Sequence, residues 1–127
     1  MNPLPPAIAA IPGCIVTRLI VDDSFSLVLC GIDREVILRI DGAGRLQTGG
    51  ESQTFDPDTD PASVVVLVGL LNRRVGDVSL HEDGQLELRM GNTSMAVLPN
   101  EHQISWSIHG PNGTRASCIA EGRVVWE

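Results

Sequence analysis

The segment Asp56-Pro57-Asp58-Thr59-Asp60 sets three carboxylates at alternate positions, the D-x-D-x-D opening of a calcium loop. Such a loop needs glycine at its sixth position for a sharp turn and glutamate at its twelfth as a bidentate ligand. Those positions hold Pro61 and Leu67. Proline cannot make the turn and leucine offers no oxygen, so the run reads as a solvated loop leading into a helix.

The other chemistry-bearing residues are equally scattered. His81, His102 and His109 show neither H-x-x-x-H nor H-E-x-x-H spacing and read as exposed strand-end residues. Cys14, Cys30 and Cys118 are an odd count without C-x-x-C spacing, which suits buried thiols better than a zinc site or a disulfide framework. No serine stands in G-x-S-x-G, and the chain has no lysine for a phosphate loop. Asp22-Asp23 and Glu82-Asp83 fall in hairpin turns, where aspartate serves turn geometry. No catalytic, metal-binding or cofactor-binding residue is assigned, and no cofactor is expected. Trp106 and Trp126, the largest apolar groups, read as core anchors between the last strands or else as exposed interface anchors, and together with Asp56 and Asp58 they are the candidates for contact with a partner.

Charge narrows the partners. Sixteen acidic residues against nine basic ones give −7. A nucleic acid or an anionic membrane needs a positive patch, so neither is expected. Arg34, Arg39 and Arg45, and Arg73 with Arg74, are interleaved with or flanked by apolar residues and acids. No apolar run approaches the roughly 20 residues that span a bilayer. The prolines of M-N-P-L-P-P-A-I-A-A break any signal-peptide core, so the cytoplasm is the default location.

The elements that must position these residues are mostly strands. At 127 residues, 43% hydrophobic but with only two Phe, two Trp and no Tyr, the chain fits one domain with a Val/Leu/Ile core. Residues 1–12, with four prolines, are expected as an extended arm before a single domain at 13–127. Alternation over Ile15 to Val21 and again at Phe25, Leu27 and Leu29 predicts a hairpin pairing Val21 with Phe25. That register sets Val16 opposite Cys30, leaving Cys14 diagonal to Cys30 at roughly 7 Å, too far for an unstrained disulfide. A third strand follows at Glu35 to Ile40. Residues 45–60 read as a loop with one short edge strand at Gln53 to Phe55.

Asp60-Pro61 starts a helix near 61–72, with Asp60 as cap and Val64, Leu67, Val68 and Leu71 as its buried stripe; V-V-V-L-V-G-L-L also suits a buried strand. From Val75 the chain meanders through Val78/Leu80, Leu86/Leu88/Met90, Met95/Val97, Ile104/Trp106/Ile108, Arg115 to Ile119, and Arg123 to Trp126. Turn signals every eight to twelve residues predict a mainly β (α+β) fold: an antiparallel meander sheet or partial barrel with one short helix. Val16, Val21, Leu27 and Leu29 fall on Val75, Leu80, Leu86 and Leu88 at an offset of 59, and Asp23 falls on Glu82, the echo of a duplicated three-strand unit.

I-P-G-C-I-V-T-R-L-I-V at 11–21, D-G-Q-L-E-L at 83–88, and Trp106, Gly110, Cys118, Gly122 and Trp126 resemble a family of short actinobacterial β-rich proteins of unknown function. Ile119-Ala120-Glu121-Gly122 departs from the Pro-Gly-Gly turn expected there, and Ser105 stands where alanine is expected. The resemblance brings no activity and no catalytic residues. Two functions are then open. The first is a non-enzymatic protein-binding module, in its concrete form an immunity-type protein whose acidity steers it onto a basic toxin. The alternative is a small-ligand binder or enzyme with an unrecognised pocket. The oligomeric state is open.

Overall fold

The computed structural model describes residues 3–22 and 24–127; Met1, Asn2 and Asp23, the last with its expected equivalence to Glu82, lie outside the described residues. Strands β1 (Ile15–Val21), β2 (Phe25–Cys30) and β3 (Glu35–Ile40) form the expected meander, with Val21 opposite Phe25 and Phe25 opposite Ile40. The expected pairing of Val16 with Cys30 is corrected by one residue. Thr17 bulges out of β1, bonding the Val28 carbonyl through its hydroxyl at 3.2 Å, so Val16 pairs with Leu29 and Ile15 with Cys30. The extra residue switches the inward face, and Val16 rather than Thr17 enters the core.

Residues 45–60 are not mainly loop. Strands β4 (Gly44–Thr48) and β5 (Glu51–Phe55) form a hairpin, and β4 lies inside a sheet. Its signal is weak because only Gly44 and Leu46 of β4 are buried. Gly44 is bare for a reason: a Cβ there would collide with the Ala96 carbonyl and with the ring of Phe55, which fills the space itself.

The helix expected near 61–72 is a 3₁₀ helix, Pro61–Leu70, and its buried residues are Val64, Leu67 and Leu70. The α-helical stripe is therefore wrong at two positions, since Val68 and Leu71 are exposed. Burial every third residue follows from three residues per turn. Four valines in five positions disfavour the α-form by crowding χ1 against the preceding turn. The thinner helix also reaches further, about 2.0 Å per residue against 1.5 Å. Asp60 makes no side-chain cap; instead Ser63 Oγ donates to the Asp60 carbonyl (2.6 Å) and accepts the Asp56 N–H (2.7 Å). Past the helix, the Asn72 N–H bonds the Val16 carbonyl and the Val16 N–H bonds the Arg73 carbonyl, fastening the chain to the outer side of β1.

The rest of the meander is β6 (Asp77–Leu80), β7 (Leu86–Met90), β8 (Thr93–Val97), β9 (Trp106–His109), β10 (Arg115–Cys118) and β11 (Val124–Trp126). Among the described residues these eleven strands make two antiparallel sheets, ordered β1-β2-β3-β9-β10-β11 and β5-β4-β8-β7-β6, and neither closes into a barrel. The orders repeat one plan. Each three-strand meander keeps its own sheet, while the strands that follow it, the β4–β5 hairpin after the first and β9–β10–β11 after the second, cross over and pair with the third strand of the other meander. The segments that echo at an offset of 59 residues fall in β1–β3 and β6–β8, both three-strand antiparallel meanders.

The N-terminal arm is not extended. Pro6–Ala9 (α1) is one helical turn, and Ala7, Ile8 and Ile11 are fully buried. The apolar residues between the prolines outweigh the tendency of proline to stay extended, and Arg34 fastens the segment by donating to the carbonyls of Ala10 (2.8 Å) and Pro12 (2.7 Å). No described helix is long and apolar enough to cross a membrane.

The three-residue burial period makes a sharp prediction. Leu70→Ala opens the core and costs about 2–4 kcal/mol, whereas Leu71→Ala costs under about 1 kcal/mol, measured by urea unfolding; an α-helical register would reverse the order. The thiols give a second. Burial raises Cys14 and Cys118 above the ordinary thiol value of 9.0, while Cys30 is only half-buried. A disulfide reagent at neutral pH should modify Cys30 first and all three thiols after unfolding. Because the folded values are raised, this contribution to stability is full below the unfolded value and is lost as pH rises above it toward the folded ones.

Candidate functional site

An open groove of about 800 Å³ lies at one end of the β1–β11 sheet. Four segments line it. The β1–β2 turn supplies Val21, Asp22, Ser24 and Phe25, and the end of β3 supplies Arg39, Ile40 and Asp41. The acidic loop and first helical turn give Pro57, Asp58, Pro61 and Val64, and the approach to β9 gives Gln103, Ile104 and Ser107. Apolar side chains thus alternate with three carboxylates and one guanidinium.

The polar groups are held in place locally. Arg39 Nε lies 3.1 Å from both oxygens of Asp41, an ion pair that neutralises the one cation among the described residues lining the groove. Asp22 accepts from the Ser24 N–H at 2.8 Å and the Ser24 hydroxyl at 3.0 Å, closing the turn. Gln103 reaches Asp58 at 3.5 Å and ties the acidic loop to the approach to β9. Asp41 N–H and Gly42 N–H both donate to the Ser105 carbonyl, so the end of β3 and the start of β9 move as one wall.

Of the residues singled out from sequence, Asp58 faces this groove. Asp56 belongs to the loop itself: it accepts from the Asp58 and Thr59 N–H groups on one oxygen and from the Thr59 hydroxyl on the other. Trp106 is fully buried and donates its indole N–H to the Gly84 carbonyl at 2.9 Å, so it serves the core and offers no surface. Trp126 is 58% exposed on β11, away from the groove. The structure does not bring these four residues together. Sequence reasoning missed Val21, Arg39, Asp41 and Ile104 as groove residues, because each reads as an ordinary strand or turn position until four distant segments meet.

Among the described residues, no histidine or cysteine lines the groove, and no three His, Cys, Asp or Glu side chains gather as metal ligands. His102 lies in a bend before β9, its N–H bonded to the side-chain oxygen of Asn100. His109 is exposed on β9, and His81 Nε2 lies 3.8 Å from Glu87. Ser105 is buried with its hydroxyl unpartnered by geometry, and it stands beside Cys118, well under the surface.

The residues that carry the family resemblance meet elsewhere, between the two sheets. Gly84 takes φ +94° and Gly122 φ +78°, and the two backbones touch: a methyl on Gly84 would strike the Gly122 carbonyl, and one on Gly122 the Asp83 carbonyl. Cys118 Sγ and the Trp106 indole complete this contact. Gly110 plays the same part against Ala7 of α1. Gly84, Trp106, Cys118 and Gly122 thus set how the two sheets pack. Glu121, at φ +67°, holds a left-handed position that glycine would occupy without strain.

No curated protein and no solved structure matches the chain. The model of a family of unknown function, DUF6188, matches residues 7–127, and the chain belongs to that family.

Proposed function

We propose that the protein is a non-enzymatic protein-binding module whose groove receives a basic, partly apolar element of a partner. The observation that carries this reading is the composition of the groove: Val21, Phe25, Ile40, Val64 and Ile104 among Asp22, Asp41 and Asp58, with Arg39 already paired to Asp41. The exposed Val21 (66%) and Ile104 (44%) supply apolar area that a partner can bury, over a floor of Phe25, Ile40 and Val64 that is already packed, and surplus negative charge selects and steers a cationic partner. The net charge of −7 extends that field over the whole molecule. An immunity-type role, capping the cationic site of a basic toxin, is the concrete form of this reading. The groove is open and lacks histidine and cysteine among its described residues, which favours a macromolecular surface over a pocket for a small substrate.

A short alternating arginine–leucine peptide is a defined probe. Titrated into isotopically labelled protein, it should shift the amide signals of Val21, Ser24, Asp58 and Ile104, more weakly as salt rises. Asp58→Arg should weaken binding about tenfold, an effect of about 1.4 kcal/mol. Shifts confined to other surfaces, or binding indifferent to Asp58→Arg, would overturn the assignment.

A further inference from the structure

The strand β11 ends the six-stranded sheet, pairing with β10 alone among the described residues. Its inner side is set by the mutual bonds of Glu127 and Arg115 (2.9 and 3.2 Å) and by the pairing of Val125 with Ser117. Alternation then turns the backbone N–H and C=O groups of Val124 and Trp126 outward, unpaired. An unpaired edge is a template for another strand, and proteins commonly blunt one with charge, proline or a bulge. This one is three residues long and flanked by charges, and between them it shows Val125 at 43% and Trp126 at 58% exposure.

The sequence of this edge is complementary to itself. Arg123-Val124-Val125-Trp126-Glu127 carries opposite charges four residues apart, both exposed, and neither has a side-chain partner among the described residues. Laid antiparallel against a second copy about Val125, the strand sets Arg123 opposite Glu127 and Val124 opposite Trp126, each twice. The register is also right for the backbone. Val124 and Trp126, whose groups point outward, become the bonded pair, and Arg123 with Glu127 becomes the closer, non-bonded pair. Any other in-phase register loses the charge match. We infer that this chain forms a twofold dimer through β11, joining two six-stranded sheets edge to edge.

The opposite edge of the sheet is less open. The outer side of β1 is occupied at Val16 by Asn72 and Arg73, and Val21 shares its groove with Pro61 and Val64 of the 3₁₀ helix. The free edge of β5 shows only polar exposed residues, Glu51 to Thr54.

Sedimentation equilibrium with a charge-swap cycle tests the inference. The wild type should show monomer–dimer exchange. Arg123→Glu, which sets glutamate against Glu127 of the second copy, should raise the dimer dissociation constant at least tenfold, and the double variant R123E/E127R should restore most of it. Both sites are on the surface, so the variants keep their fold. Trp126 gives a second readout, because Trp106 is buried throughout: its quenching by acrylamide should fall as protein concentration rises. A monomer at every concentration up to about 1 mM overturns the inference. So does a dimer that leaves Trp126 quenching unchanged or ignores the charge swap.

Discussion

The indole N–H of Trp106, 2.9 Å from the Gly84 carbonyl, ties a strand of one sheet to a turn of the other, and the packing of the two sheets depends on that contact. Gly84 belongs to the turn between β6 and β7 of one sheet. Trp106 opens β9 of the other, and Gly122 lies in the turn between β10 and β11. Two backbones can approach this closely only without side chains, which is why glycine stands at both turns. Replacing water on a buried indole with a carbonyl partner lets the largest side chain enter the core without an orphaned donor. The exchange of strands between the sheets needs such a lock, because each sheet contains strands from both halves of the chain.

The same contact places the groove. Ser105, one residue before Trp106, accepts the N–H groups of Asp41 and Gly42, so anchoring the indole anchors the end of β3 as well. Ile104 and Ser107 flank the anchor and line the groove. The third wall depends on the 3₁₀ helix, whose ten residues carry the chain from β5 to the outer side of β1 and lay Pro61 and Val64 beside Val21. Fold and candidate surface are thus coupled: the site is a seam between segments rather than a pre-built active centre on one element.

Most of the strands were legible because one face of each is buried and the other is wet, so period-two alternation survives in the sequence. Strands β3 and β7 are of this kind. Three features were hidden, each for a physical reason. Strand β4 has a glycine where a neighbouring phenylalanine fills the core, so the alternation it needs is carried by another residue, Phe55. The valine run at 64–68 suits helix or strand by composition, and only contact with the core selects a three-residue turn. The N-terminal turn depends on carbonyl contacts from Arg34, more than twenty residues away, that no local pattern displays. The groove was less legible still, since Asp58 was named but its partners Val21, Asp41 and Ile104 are joined to it only by folding.

The lock between the sheets can be tested with two glycines that share a backbone conformation but not a neighbourhood. Gly49 has φ +59° with nothing within 4 Å of a new Cβ, whereas Gly122 has φ +78° and faces the Asp83 carbonyl. Alanine at either position pays the left-handed penalty of about 1 kcal/mol. Only at Gly122 must the sheets also move apart. Urea unfolding should therefore show Gly122→Ala losing at least about 2 kcal/mol more than Gly49→Ala, within the range of severe core disruptions. Equal losses would mean that the close approach does not hold the sheets together, and the account of this fold would fail with it.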